Sequence, residues 1–355
     1  MRFSCHKSIL NEGMSVVQRA VSGKTSSMIM QGVLVSLQGN NLQFSATDLE
    51  MGIQHTVQII DTKEDGSCVI PAKIFGDIIK KLPNTQVDIE SKNGQMIIKY
   101  KGSAIELQAL AADEFPAFPE ESDLEISIPS DVLKKGVTKT IKAVAIEANR
   151  PVFTGILIVI KDGKIEFVAT DTHRLAIVSM DIDFAGEFKA IVPAKALTEA
   201  LKFNGNTILR ISRGSQLILE SDTTKIFIRT IDGQFPNYKQ VIPQGHLSSI
   251  RVSNNEFKGA INRAILFTDS DSKVIKLNGS EKISIASASQ KGKINEHIDV
   301  EHSGEPVGIA VNARFILDAL DSVGETVDME LNGSTSPTMI RDDGYIHIVL
   351  PVRVS

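Results

Sequence analysis

The sequence predicts an α+β fold made of three tandem copies of one unit, each with two helices packed on antiparallel sheets. Three observations carry that prediction. Three segments align with one another, CVIPAKIFGDIIKKL from Cys68, AIVPAKALTEALKF from Ala190 and IAVNARFILDAL from Ile309, so that Pro71, Pro193 and Asn312 fall 122 and 119 residues apart. Turn signals keep the same rhythm, one set at Asn40 with Asn41, Asp162 with Gly163 and Asn278 with Gly279, and another at Gly94, Gly214 and Gly333. Within each copy, helix-like spacing and strand-like alternation succeed each other twice. The copies divide at residues 1–122, 123–246 and 247–355.

Each copy opens with a strand and a helix. In the first, FSC leads into a helix of about 16 residues from Lys7, because Leu10, Met14, Val17 and Val21 recur at three and four and share one face. Three alternating runs follow, QGVLVSL, LQFSATD and MGIQHTVQII, whose period of two marks antiparallel strands with one buried face. A short strand, CVI, and a helix over 72–82 then precede TQVDIES, QMIIKYK and AIELQAL. Each copy is therefore read as a helix plus a three-stranded meander, twice over. The second copy places helices over 131–142, with the stripe Leu133, Val137, Ile141 and Val144, and over 194–203; the third places them over 255–266 and 312–320. Two copies also end alike, with DEFPAFP from Asp113 and DGQFPNY from Asp232.

The total charge of -5, from 38 basic and 43 acidic residues, argues weakly against a nucleic-acid partner until it is divided by element. The six helical segments, the first counted through Lys24, hold 15 basic and 6 acidic side chains, whereas the remainder holds 23 and 37. Lys135, Lys139 and Lys142 recur on the helix face opposite Leu133 and Val137, and Lys73, Lys80 and Lys81 oppose Phe75, Ile78 and Ile79. A basic face repeated on successive helices attracts a polyanion. No aromatic residues interleave these lysines, so stacking on single-stranded bases is not indicated.

Few features point to chemistry. The chain has no Trp and three Tyr, which disfavours a large aromatic ligand pocket, and it lacks a phosphate-binding glycine loop, a zinc-protease helix and a serine-hydrolase elbow. Cys5 and Cys68 stand in no metal spacing and read as buried reduced thiols; no metal or cofactor is expected. The start MRFSCHKSIL lacks the apolar core of a signal peptide, and no apolar run is long enough to span a membrane, so a cytoplasmic protein is expected. The most reactive-looking string is ATDTHRLA, where Asp171 and His173 share a strand face. It supports an alternative reading as a nucleotide-processing enzyme.

The threefold repeat, the basic helices, TDTHRL at 170–175, FPNY at 235–238 and the terminal LPVRV at 350–354 together resemble the bacterial DNA polymerase III beta subunits. The resemblance covers the full length. It implies three tandem repeats of the DNA-clamp fold in a ring-shaped, head-to-tail homodimer that encircles double-stranded DNA without reading its sequence. It also implies a non-catalytic processivity factor whose partners are the DNA polymerase III alpha subunit, the clamp-loader delta subunit, other polymerases and mismatch-repair proteins, all bound through short linear motifs. A non-ring scaffold built from the same repeats is the remaining alternative.

Carried over by position, the resemblance implies a peptide-binding pocket. One wall comprises Phe153, Thr170, Thr172, His173, Arg174, Leu175, Pro236 and Val241. The other comprises Asn312, Phe315, Thr335 and Pro337 with the terminal Ile348, Val349, Leu350, Pro351, Val352, Arg353 and Val354. The chain departs from the family at Thr172, where glycine is common, at Phe315, where tyrosine is, and at Gln240, where a basic residue is; Ser355 extends past the usual end. These departures bear on peptide selectivity. Lys24, Asn149 and Arg150 match positions that face the duplex, joining Lys73, Lys80, Lys81, Lys135, Lys139 and Lys142 from the helix reading. The protomer interface is expected to bring Ile105 and Leu107 against Leu266 and Phe267 of a second copy.

Overall fold

The computed structural model describes every residue except 24, 120–123, 148, 204–206, 213–215, 271, 354 and 355. The Gly214 turn, Lys24 and Val354 therefore lie outside the described residues. The first repeat runs β1 (Arg2–His6), α1 (Lys7–Val17), β2 (Gly32–Gln38), β3 (Asn41–Thr47), β4 (Met51–Gln58), β5 (Asp61–Glu64), β6 (Gly66–Pro71), α2 (Ala72–Lys81), β7 (Gln86–Lys92), β8 (Gln95–Tyr100) and β9 (Ser103–Gln108). The second runs β10 (Leu124–Ile128), α3 (Ser130–Thr140), β11 (Gly155–Lys161), β12 (Lys164–Thr170), β13 (Arg174–Asp181), β14 (Phe188–Pro193), α4 (Ala194–Ala200), β15 (Thr207–Ser212), β16 (Gln216–Glu220) and β17 (Thr224–Arg229). The third runs β18 (Ser248–Ser253), α5 (Asn254–Ala264), β19 (Val274–Gly279), β20 (Lys282–Ser289), β21 (Gly292–Asp299), β22 (Glu301–Gly304), β23 (Val307–Asn312), α6 (Ala313–Leu320), β24 (Thr326–Leu331), β25 (Thr338–Asp342) and β26 (Tyr345–Val349).

The strands form four sheets, ordered β5-β1-β7-β8-β9, β10-β15-β16-β17-β4-β3-β2-β6, β14-β11-β12-β13-β26-β25-β24-β18-β22 and β21-β20-β19-β23. This corrects the picture of self-contained meanders in two ways. The opening strand of each half crosses to the other half, so that β1 pairs with β7 and β10 with β15. The repeats also merge, since β17 pairs with β4 and β13 with β26. Unpaired, these four alternating strands would expose apolar edges; pairing them removes that liability.

The chain divides into two compact units. Met1–Ser130 with Glu199–Thr230 hold the five- and eight-stranded sheets, and Asp131–Thr198 with Ile231–Ser355 hold the nine- and four-stranded ones. The middle repeat is thus shared. Its β10 and β15 to β17 belong to the first unit, and its β11 to β14 to the second.

Helix packing repeats with compensating changes of size. A Cβ on Gly13 of α1 would lie 2.2 Å from the Phe44 ring on β3, and one on Gly136 of α3 would lie 2.3 Å from the Phe167 ring on β12. Only a glycine lets those helices rest on a phenylalanine. In the third repeat the matching residues are Ala260 and Ile285, both buried in its core. Helix ends are tighter than the periodicity suggests: α1 gives way to a 3-10 turn at Gln18–Ala20, and α4 stops at Ala200. The Asn278 and Gly279 signal also shifts, because both residues close β19 and the turn follows at Ser280 and Glu281.

Candidate functional site

The TDTHR string forms the turn between β12 and β13, and its shape comes from two side chains. Asp171 Oδ1 accepts the N–H groups of His173 and Arg174, each at 3.0 Å, while Thr170 Oγ1 accepts the Thr172 N–H at 3.1 Å and donates to the Arg174 carbonyl at 2.6 Å. Short polar side chains bonding to the backbone two and three residues ahead fix this kind of turn. Thr172 is held at φ +77°, a left-handed conformation that a β-branched residue adopts only under constraint. Asp171 Oδ2 accepts from Arg174 Nε at 2.9 Å. With both carboxylate oxygens committed to the turn and to Arg174, Asp171 does not stand as a general base beside His173.

Beside this turn lies an apolar cluster. Phe153, Leu175 and Ile348 meet in it with Val152, Leu157, Met339 and Phe235, and Phe153 and Phe235 form an edge-to-face pair with centroids 6.4 Å apart. Leu175 and Ile348 are directly opposed across the β13–β26 ladder. Sequence reasoning chose Pro236 from FPNY, but the buried member of that string is Phe235, with Pro236 exposed. Val241 and Leu350 are 54% and 40% exposed, which places them at the rim. The Leu350 N–H donates to the His173 carbonyl at 2.9 Å, and the Val352 N–H donates to the Ala310 carbonyl at 2.8 Å, so the C-terminal residues are tied to both the turn and β23.

Other expected pocket residues divide by role. Asn312 caps α6, its Oδ1 accepting the Arg314 N–H at 2.9 Å. Phe315 lies beneath the Arg174 guanidinium, 4.4 Å from ring centroid to carbon. Val349 belongs to the core of the third repeat rather than to the cluster around Phe153. Thr335 and Pro337 lie in the β24–β25 loop, exposed and half-buried. Pro351 and Val352 are half-buried, and Arg353 is exposed.

Beneath the turn is a polar layer that sequence reasoning missed. Arg174 donates to Asp318 Oδ2 at 2.6 Å, and Asp318, 5% exposed on α6, also faces Arg314 at 3.2 Å and Lys142 at 4.0 Å. Tyr345 and His347 of β26 are buried and joined from Oη to Nδ1 at 2.8 Å. Burial, with the Arg174 charge second, pushes the His347 pKa down to about 3, so the ring is neutral. Burial likewise raises the Tyr345 phenol, and burial with the Glu166 carboxylate 2.5 Å away raises that of Tyr238. One signal for Asp318 was available: it is the lone carboxylate within the apolar run of α6.

The outward lysines are present, and several have carboxylate neighbours. Lys135 lies 3.7 Å from Asp343, Lys139 lies 3.4 Å from Asp342 and 5.0 Å from the Tyr345 ring centroid, and Lys142 bonds to Asp321. Asp321 also accepts from Lys258 of α5. Burial raises the Asp321 pKa, but the hydrogen bonds from Lys142 and Lys258 outweigh it and leave the carboxyl below its usual value. Lys73, Lys80 and Lys81 on α2 are exposed, as are Asn149 and Arg150 in the loop after α3. Among the described residues no cluster of three or more His, Cys, Asp or Glu is arranged to hold a metal ion, and no helix is long and apolar enough to cross a membrane.

Among the strands that end the four sheets are β9 and β21. Ile105 and Leu107 are half-buried on β9; Leu266 is 64% exposed and Phe267 half-buried just after α5.

Comparison with known proteins matches this arrangement from end to end. Models of the N-terminal, central and C-terminal domains of DNA polymerase III beta subunits match residues 1–119, 127–237 and 239–353 in order. A beta sliding clamp of Bacillus subtilis is 31% identical over 99% of this chain and 100% of its own length, and one of Synechococcus elongatus is 27% identical over the whole of both. The crystal structure of the DNA polymerase sliding clamp from Bacillus subtilis superposes with a TM-score of 0.95 at 31% identity, covering both chains completely. A Pseudomonas aeruginosa sliding clamp bound to griselimycin does so with 0.95 at 26%, again over both chains.

Proposed function

The chain belongs to the DNA polymerase III beta subunit family, and on that premise we propose that it acts as a sliding clamp, a processivity factor that performs no chemistry of its own. The observation that carries this is the serial match of all three domain models across residues 1–353. Two copies close head to tail into a ring of six repeats divided at residues 1–122, 123–246 and 247–355, with β9 of one copy, through Ile105 and Leu107, meeting β21, Leu266 and Phe267 of the other. Completing two open sheet edges at once gives such an interface its register. Lys73, Lys80, Lys81, Lys135, Lys139, Lys142, Asn149 and Arg150 face the enclosed duplex, and Lys24 joins them by position. Contacts to phosphates alone hold a duplex without fixing its sequence, so the ring slides. The cluster around Phe153, Leu175 and Ile348, walled by Arg174 and Phe315 and rimmed by Val241 and Leu350, receives linear motifs of the polymerase alpha subunit, the clamp-loader delta subunit, other polymerases and mismatch-repair proteins. An apolar groove with a few fixed polar groups suits an extended peptide with hydrophobic anchors. The protein works in the cytoplasm.

Retention on DNA tests the reading. Protein loaded on nicked circular duplex stays bound through high-salt washing and leaves once the circle is cut; retention on the linear form would mean electrostatic adhesion instead, and would overturn the ring.

A further inference from the structure

We infer that Asp318 is a positioning residue for the peptide groove, and that through Lys142 it makes the groove respond to whatever polyanion the basic helices hold. The inference rests on the proposed groove and duplex-facing lysines. Asp318 is a buried carboxylate with three cations around its two oxygens: Arg174 of the TDTHR turn bonds Oδ2 at 2.6 Å, while Arg314, one helical turn away, and Lys142 lie 3.2 and 4.0 Å from Oδ1, which has no hydrogen-bond partner. Arg174 is the groove-wall member. Asp171 and Asp318 bind its Nε and one terminal nitrogen, and the guanidinium so held sits over the Phe315 ring, 4.4 Å from its centroid.

Lys142 is the outward member. Its ammonium bonds to Asp321, which also holds Lys258, so a chain of alternating charges runs Asp171, Arg174, Asp318, Lys142, Asp321, Lys258 within one compact unit. A carboxylate shared among several cations binds each of them less tightly than it would bind one alone. A phosphate that draws the Lys142 ammonium outward leaves Asp318 more fully to Arg174, which stiffens the groove wall before a peptide arrives. Two sites that bias one element are coupled in both directions, so a bound peptide also favours an outward Lys142.

The test is anisotropy of a labelled Q-x-x-(L/M)-x-F peptide on free protein and on protein loaded on nicked circular duplex. Wild type binds the peptide about threefold more tightly when loaded, the scale on which partly exposed ion pairs act. Lys142→Met binds as loaded wild type does in both states, because the competing ammonium is gone. Asp318→Asn binds about tenfold more weakly and ignores loading, and Asp318→Glu recovers part of both properties. Global loosening of the fold weakens binding without erasing the effect of loading, so the dependence on loading separates positioning from simple support. Equal affinity of wild type and Asp318→Asn, or equal affinity of loaded and free wild type, overturns the inference and leaves the groove standing. Failure of wild type to bind the peptide at all overturns both.

Discussion

The β3–β4 turn and the β12–β13 turn are the same turn used twice. Asp48 Oδ1 accepts the N–H groups of Glu50 and Met51 at 3.1 and 2.7 Å, Thr47 Oγ1 accepts from the Leu49 N–H at 3.0 Å, and Leu49 has φ +72°, each a counterpart of the bonds around Asp171 and Thr172. Even the neighbouring strand docks alike, Arg229 N–H to the Glu50 carbonyl at 2.9 Å matching Leu350 N–H to that of His173. What differs is the residue the turn delivers. The first presents Met51, buried and apolar; the second presents Arg174, which needs two carboxylates. Beneath the first, Glu199, the repeat counterpart of Asp318, pairs instead with Arg19 at 2.7 Å and Lys202. A turn encoded by Thr-Asp is a frame, and the fifth residue of the string decides whether it closes a core or builds a site.

Making the second turn copy the first breaks the comparison most severely. Arg174→Met leaves Asp318 without its nearest cation and lowers stability by about 3 kcal/mol, and adding Asp318→Leu restores most of it, since a well-packed apolar pair replaces a buried ion pair at little cost. Chemical-denaturation midpoints of the three proteins decide this; a single variant within about 0.5 kcal/mol of wild type would show that Arg314 and Lys142 suffice.

The polar layer gives the next largest effect. His347 occupies the position that Ile226 holds on β17, and its pKa of about 3 lies far below the unfolded value near 6.5. A depressed histidine contributes its stability in full above the unfolded value and loses it as pH falls, because only the unfolded chain then gains a proton. Relative to His347→Ile, wild type should therefore lose about 2 kcal/mol between pH 6.5 and 5. Parallel pH profiles for the two proteins would mean that the ring is not held neutral.

Smaller changes separate frame from cargo. Asp48→Ala and Asp171→Ala each remove an acceptor for two N–H groups and cost about 1–2 kcal/mol, yet only Asp171→Ala weakens the labelled peptide. Peptide binding that suffers equally in both would dissolve the distinction. Smallest is the relief of left-handed strain, where Thr172→Gly and Leu49→Gly each raise stability by about 1 kcal/mol. A thermal shift downward in either would mean that the side chain contributes more than its backbone costs.

Legibility follows locality. Strands such as β2 to β4 and helices such as α3 were readable because their periods are written in adjacent residues. The edge strands β5 and β22, DTKE and EHSG, carry no apolar period, and their pairing is set by β1 and β18 from far along the chain. The same holds for the merging of repeats through β17 with β4. In the site, TDTHRL and the terminal residues were visible as strings, whereas the Asp318, Tyr345 and His347 layer was not: YIHIV alternates like any strand, and only its position under Arg174 makes its polar members a unit. Counting lysines found the basic helices but overlooked Asp321, Asp342 and Asp343, acidic residues at the end of α6, at the end of β25 and in the turn after it that meet them.

The glycine beneath each phenylalanine has a consequence for how such a chain drifts. Neither Gly13 nor Phe44 can change size alone, because an added methyl at 2.2 Å has nowhere to go, and a smaller ring partner leaves a void. The third repeat shows the exchange completed, Ala260 with Ile285. Substitution therefore proceeds by pairs, and each accepted pair makes reversion of either member as harmful as the first step was. Paired exchange of this kind changes side chains without moving the backbone, and whole relatives at 26 to 31% identity superpose on this chain with TM-scores of 0.95.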